Sequence, residues 1–193
     1  MENRERILAC ALDLFYQRGY DAVGIQEICQ RAGVTKPTMY HYFGSKYGLL
    51  ETLLAQKLGG FLEMLSHAAH YRVSVEQSLY DFASVILDCA GANYRAYLLM
   101  MSLSYSAREN ETYQAVKPYI NRIHQLAVQL FDEAAPVLGN MNGRQEQFAL
   151  GFLGLFNHYI LFMGNQNDPE LGITVTEETK RSLIHQFMHG INS

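Results

Sequence analysis

The stretch Ala32-Gly33-Val34-Thr35-Lys36-Pro37-Thr38-Met39-Tyr40-His41-Tyr42-Phe43-Gly44-Ser45-Lys46 decides how this chain is read. Gly33 stops the helix before it, and Thr35 is a side-chain N-cap for the next. Pro37 fits a first helical turn, where an N–H has no intrahelical partner. The spacing predicts a helix over 36–43 that ends at Gly44, with Ser45 capping another that starts near Lys46. Met39 and Phe43, four apart, share a face and point to a core. Lys36, Thr38, Tyr40, His41 and Tyr42 are left to cover the remaining surface. Hydroxyls, an ammonium and an imidazole are the donors that phosphate oxygens take. Thr38 and the Pro37 ring also suit thymine methyls in a major groove. Lys46 adds its charge to a helix N-terminus, itself an anion site. The competing reading is that Tyr40, His41 and Tyr42 are amphipathic surface packing; the cost of exposing three such rings without a partner favours function.

Working outward, Ile7, Leu8, Ala11, Leu12, Leu14 and Phe15 recur at helical spacing and end at Gly19. A short helix with Ile25, Ile28, Cys29 and Ala32 on one face follows, so the segment reads as a helix-turn-helix behind a longer first helix. Downstream, Leu49, Leu50, Leu53, Leu54 and Leu58 mark a fourth helix, which Gly59-Gly60 is expected to interrupt, as a hinge or as a plain break. Ser74 with Gln77 reads as a capping box for a helix to about Cys89, and Tyr94–Tyr105 as a more buried one. Pro118 either starts a helix or kinks one that continues to Ala135. Asn142 with Gln145, and Thr174 with Glu177, are expected caps for the last two helices, the final one running to about His189. No sustained period-two pattern occurs, and the expected fold class is all-α.

The chain has 193 residues, 49% hydrophobic and 18% charged, which suits one or two compact domains and argues against disorder. Cys10, Cys29 and Cys89 are odd in number and form no CxxC pair, so a disulfide framework and a cysteine zinc site are both poor readings. The amphipathic N-terminus is unlike a signal peptide, and a cytoplasmic location is expected. Between Glu146 and Asp168 lie 21 uncharged residues, about the length of a membrane span. Asn157 and His158 in the middle, with Gln145 and Gln147 before them and Gln166 after, favour a helix packed on two sides in a soluble protein, with no membrane partner. Residues 1–50 hold six Lys or Arg against five Asp or Glu, while the whole chain is at −4. Bulk coating of nucleic acid is thereby disfavoured; a local contact patch at one end is not.

The first fifty or so residues resemble the DNA-binding domain of the TetR family of bacterial transcription regulators. The resemblance rests on Leu14-Phe15-Tyr16-Gln17-Arg18-Gly19-Tyr20, on the helix with Ile28, on Ala32 through Phe43, and on Ser45-Lys46. It implies a dimeric all-α regulator: a helix-turn-helix DNA-binding domain over 1–48 and a helical ligand-binding and dimerisation domain over 49–193. It also implies DNA contacts at Gln26, Thr35, Lys36, Pro37, Thr38, Tyr40, His41, Tyr42 and Lys46, with Gln26 at a position where some relatives read a base. The chain departs from the pattern at Val23-Gly24, where a capping hydroxyl is usual, which puts one phosphate contact in doubt, and at Cys29, where alanine is usual.

Beyond the resemblance, the rest of the chain is dense in large adaptable side chains that line apolar pockets or simply fill cores. Tyr97, Met100, Met101, Tyr105, Tyr113, Phe152, Phe156 and Tyr159 are the candidate pocket for a small apolar or aromatic effector. Gly151, Leu155, His158, Phe162, Ile184 and Phe187 are the candidate homodimer interface. His185 with His189, and His67 with His70, lack further ligands, so no metal and no cofactor are expected. The expected function is ligand-responsive regulation of double-stranded operator DNA, in the sense of repression. The alternatives are a helical enzyme, for which no nucleophile-elbow motif is present, and a protein-interaction module retaining the helix-turn-helix.

Overall fold

The computed structural model describes residues 2–139, 141–164 and 172–190. Among them the elements are α1 (Asn3–Arg18), α2 (Ile25–Ala32), α3 (Lys36–Phe43), α4 (Lys46–Ala68), α5 (Val75–Ala92), α6 (Tyr94–Ser104), α7 (Glu111–Ala134), α8 (Gln145–Gly164) and α9 (Glu177–His189), with no strand. The chain divides into two compact units, residues 1–59 with 95–118, and residues 60–94 with 119–193.

In the first unit α1 packs on α2 and α3 around Ile7, Leu8, Ala11, Phe15, Ile28, Met39 and Phe43, all buried. The local chemistry is as the sequence dictates. Gly33 takes the left-handed conformation at φ 63° and ψ 39°, and Thr35 Oγ1 accepts from the Thr38 N–H. Ser45 Oγ accepts from the Gly48 N–H at 2.9 Å and opens α4. Gly48 is demanded by the tight α3–α4 turn, because a Cβ there would stand 2.2 Å from the Phe43 carbonyl oxygen. Asn110 Oδ1 accepts from the Thr112 N–H and opens α7.

Three expectations about helix ends are corrected, and the choice left open at Pro118 is decided. Gly59-Gly60 does not interrupt α4, which runs through both glycines. Two interior glycines cost roughly 1 kcal/mol each, and burial of Leu58, Phe61 and Leu65 on either side outweighs that. Pro118 does not start α7 but lies inside it, with Ala115, Val116, Ile123 and Leu126 buried around it. Asn142 is no cap: at φ +47°, with Gly143 at +72°, it forms an Asn-Gly turn in which the Arg144 N–H donates to the Met141 carbonyl. Thr176, not Thr174, caps α9 by accepting from the Thr179 N–H at 3.2 Å. Ser74 does cap α5, but the Gln77 amide reaches forward to Asp81 at 2.7 Å, so only half of a capping box forms.

The second unit is built on α5, with α8 and α9 packed against it. Phe152 sits among Phe82, Phe131, Phe156 and Phe187 with ring centroids 4.9–6.0 Å away. Gly164 lets α8 pass Tyr94; a Cβ there would stand 2.0 Å from the tyrosine oxygen. Helix α8 is long and apolar enough to cross a membrane, and a third of its apolar window is buried in the chain. Only one of its two expected packed faces is covered here: Ala149, Phe152, Leu153, Phe156 and Ile160 are buried, while Leu150, Gly151, Gly154, His158, Leu161 and Phe162 are exposed. Gln166, at the end of the uncharged stretch, lies outside the described residues.

Candidate nucleic-acid interface

Helix α3 is divided as its spacing predicts. Met39 is fully buried and Phe43 nearly so, while Thr35, Lys36, Pro37, Tyr40, His41 and Tyr42 are exposed and Thr38 is half-buried. His41 stands edge-on to Tyr42 at 5.5 Å, and Tyr42 lies 6.0 Å from the buried Phe43. Eight residues without an acidic side chain leave Lys36 as the formal charge on this helix. The Thr35 and Thr38 hydroxyls lie 2.9 Å apart, so one donates to the other. Gln26 is exposed on α2, whose own N-cap is Gly24 with no side-chain hydrogen bond, as the missing hydroxyl there implies. Arg18 pairs with Glu27, and Arg31 with Asp13 at 3.6 Å, so both guanidiniums are already engaged close to the head. Arg95 on α6 also reaches Asp13.

Lys46 is the first residue of α4, but its ammonium is not simply extended into solvent. It lies 4.0 Å from the centre of the Tyr20 ring. Burial pushes it below the ordinary lysine range, and the carboxylates of Asp21 and Glu111 oppose that shift. Tyr20 donates a 2.7 Å hydrogen bond to Glu111 Oε1. Burial and that carboxylate together push the phenol far above its ordinary range. Sequence reading gave Tyr20 a place in the resemblance but no role, and passed over Glu111 entirely. A partner 91 positions away leaves no local signal.

The candidate pocket residues are divided between the two units, and the candidate interface residues lie in the second. Of the candidate pocket, Tyr97, Met100, Met101, Tyr105 and Tyr113 belong to the first unit and Phe152, Phe156 and Tyr159 to the second. Tyr97 and Met100 are buried, Met101, Tyr113 and Tyr159 are half-buried, and Tyr105 is 84% exposed just past the end of α6. Phe152 and Phe156 are core residues that pack on each other. Two surface cavities are lined by other side chains. One of about 360 Å³ includes Tyr20, Asp21, Ser102 and Thr112; one of about 420 Å³ includes His124, Gln129, Asp132 and Glu146. Of the candidate interface, Gly151, His158 and Phe162 are exposed and Leu155 half-exposed on α8, with His158 stacked on Phe162. Ile184 is buried within its own chain, and Phe187 packs on Phe131 and Phe152. His185 and His189 lie side by side on α9, their rings 4.5 Å apart.

Comparison with known proteins agrees with this geometry. The family described as bacterial regulatory proteins, tetR family, matches residues 7–53, which hold all of α2 and α3. The chain is 40% identical over 196 residues to the uncharacterised HTH-type transcriptional regulator YvkB of Bacillus subtilis, covering 98% of this chain and 97% of that one. It is 30% identical over 104 residues to the HTH-type transcriptional activator FasR of Mycolicibacterium smegmatis, 54% of this chain and 48% of that one. It is 38% identical over 55 residues to the HTH-type transcriptional repressor BdcR of Escherichia coli, 28% of each. The chain thus spans about half or less of the length of these last two relatives. The fold is also that of the transcriptional regulator FadR of Bacillus subtilis, solved in complex with stearoyl-CoA, with a TM-score of 0.71, 17% identity and coverage of 97% and 99%. The head geometry, the matching family description and the full-length likeness to YvkB converge: the chain belongs to the TetR family of bacterial regulatory proteins.

Proposed function

We propose that this chain is a ligand-responsive transcriptional repressor that binds pseudo-palindromic operator DNA as a homodimer in the cytoplasm. A small, largely apolar or aromatic effector releases it. The observation that carries this reading is α3 itself: Met39 and Phe43 anchor it, and Lys36, Tyr40, His41 and Tyr42 are exposed on a helix that has no acidic residue. Pro37 and Thr38 meet base edges in a major groove, Lys36, Tyr40, His41 and Tyr42 position the helix on phosphates and bases, and Gln26 reads a neighbouring base. Thr35 and Lys46 take phosphates at the starts of α3 and α4.

DNA recognition is assigned to residues 1–48, and effector binding with dimerisation to residues 49–193. The effector class rests on the aromatic and methionine side chains of that second segment, and on a regulator of the same fold that carries a stearoyl thioester. The homodimer rests on the uncovered apolar face of α8. In the dimer two α3 helices enter successive major grooves about 34–36 Å apart. An effector that prefers another head spacing shifts the population off DNA. The relatives are described as transcriptional regulators, which favours this reading over a helical enzyme.

The test is a fluorescence-anisotropy titration against DNA from just upstream of the chain's own gene, at several salt concentrations. Tight binding that survives competitor DNA and weakens with salt supports the reading. Binding no tighter than to random DNA across that whole region counts against it.

A further inference from the structure

The Lys46 ammonium, the proposed phosphate ligand at the start of α4, is held by groups from far along the chain. It rests on the Tyr20 ring at 4.0 Å, and Tyr20 is nearly buried. The Tyr20 hydroxyl donates to Glu111, in the first turn of α7. A phenol that donates to a carboxylate carries a more electron-rich ring, and such a ring holds a cation more firmly on its face. Glu111 and Asp21 are the carboxylates whose field reaches the ammonium directly. Glu111 also acts on Tyr47, the next residue of α4, so its charge is felt across the start of that helix. A cavity of about 360 Å³ borders Tyr20 and Asp21 and is also lined by Ser102, Ser106 and Thr112.

An ammonium seated on a ring backed by a carboxylate is not free to meet a phosphate. We propose that Tyr20 and Glu111 are positioning residues that latch Lys46 in the DNA-free protein, so that an operator phosphate must compete with the Glu111-backed ring for the ammonium. This rests on the reading of Lys46 as a phosphate contact. It places control of that contact in the first turn of α7, outside the segment that touches DNA. Withdrawal of Glu111 frees Lys46, and its return takes the ammonium back.

The experiment is a double-mutant cycle on the full chain with Glu111→Gln and Lys46→Ala, read by anisotropy on the same upstream DNA. Glutamine keeps an acceptor for the Tyr20 hydroxyl and removes the charge. Glu111→Gln is expected to tighten binding about two- to fivefold, and the gain is expected to vanish in the Lys46→Ala background. A gain of the same size in that background would mean that Glu111 merely repels DNA at a distance, and overturns the latch. No gain at all overturns it as well. A second measurement needs no DNA: the Lys46 ε-methylene protons should be shifted upfield by the Tyr20 ring, and Glu111→Gln should move them back towards the ordinary lysine position. Unshifted protons in the wild-type chain overturn the proposal whatever the titration shows. A wild-type chain that binds no DNA overturns the functional reading and the competition with it; a wild-type chain that binds while Glu111→Gln behaves identically overturns the latch alone.

Discussion

The Lys180 ammonium, on a side chain only 5% exposed, donates a 2.7 Å hydrogen bond to Asp88 of α5 and a 2.8 Å one to Glu177 in its own helix. This joins the first turn of α9 to the later part of α5. Burial alone works against the charge, but the hydrogen bonds that the ammonium donates to Asp88 and Glu177 outweigh it and hold Lys180 above the ordinary lysine range. The contribution to stability is therefore fully present below the ordinary value of 10.5 and is lost as pH rises through the raised one.

The two carboxylates are mostly exposed, so stranding them costs little, whereas stranding the buried ammonium costs more. Lys180→Met should change stability by less than about 1 kcal/mol, and Asp88→Ala should lower it by about 1–2 kcal/mol. Urea unfolding of both variants decides this. A larger loss in Lys180→Met would mean that the pair, rather than the buried charge, sets the energetics.

Glycines of one composition have opposite roles here. Gly48 and Gly164 have no room for a Cβ, which would meet the Phe43 carbonyl or the Tyr94 ring. Gly59 and Gly60 have nothing within 4 Å of a Cβ and sit inside a regular helix. Alanine at Gly48 or Gly164 should destabilise by about 1–3 kcal/mol. Alanine at Gly59 or Gly60 should stabilise by roughly 0.5–1 kcal/mol each. Thermal unfolding of the four single variants gives the signs. A loss at Gly59 or Gly60 would show that α4 needs the flexibility there.

The same contrast shows what a sequence can and cannot disclose. The α2–α3 turn was legible because Gly33, Thr35, Pro37 and Gly44 each punctuate the chain by local chemistry, and Met39 and Phe43 fix the inward face. The Gly59-Gly60 pair misled because a local preference of about 1 kcal/mol per residue yields to burial of neighbouring leucines. Thr174 was the expected cap of α9, and the backbone instead starts the helix so that Thr176, two residues on, accepts from the Thr179 N–H. Asn142 is equally good as a cap or as a turn residue, and the following glycine tipped it to the turn. The aromatic residues of the second segment could be named as a set but not sorted. Whether Phe152 faces a ligand or four other rings depends on contacts between remote helices. The Tyr20–Glu111 hydrogen bond was out of reach for the same reason.

On DNA, Lys46 and Gln26 should separate affinity from specificity. Lys46→Ala should weaken binding to every sequence alike and lower the dependence of log affinity on log salt by about one unit. Gln26→Ala should leave the salt dependence unchanged and relax preference at one operator position, by about 1–3 kcal/mol between bases. Titrations against an operator and its single-base variants at three salt concentrations measure both. Altered base preference in Lys46→Ala would remove it from the phosphate contacts.

Helix α8 makes the sharpest prediction about assembly. Leu150, Gly154, His158 and Phe162 recur every four residues and form one exposed stripe, and Leu161 widens it. The glycines at 151 and 154 have open space where a Cβ would stand, so a second backbone can approach closely. Exposed apolar stripes of this kind mark contact surfaces, and a stripe repeated on a second copy of the chain is self-complementary about a two-fold axis. Phe162 is 57% exposed at its centre of contact with His158, so Phe162→Glu places a charge in the proposed seam. Sedimentation at micromolar concentration should then show the wild type as a dimer and Phe162→Glu as the 22.0 kDa monomer. Tyr105→Glu, more exposed but away from α8, just past the end of α6, should remain dimeric. Operator affinity should fall with dimerisation in Phe162→Glu, because two half-sites no longer bind as one. A Phe162→Glu protein that still sediments as the wild type does would move the interface away from α8.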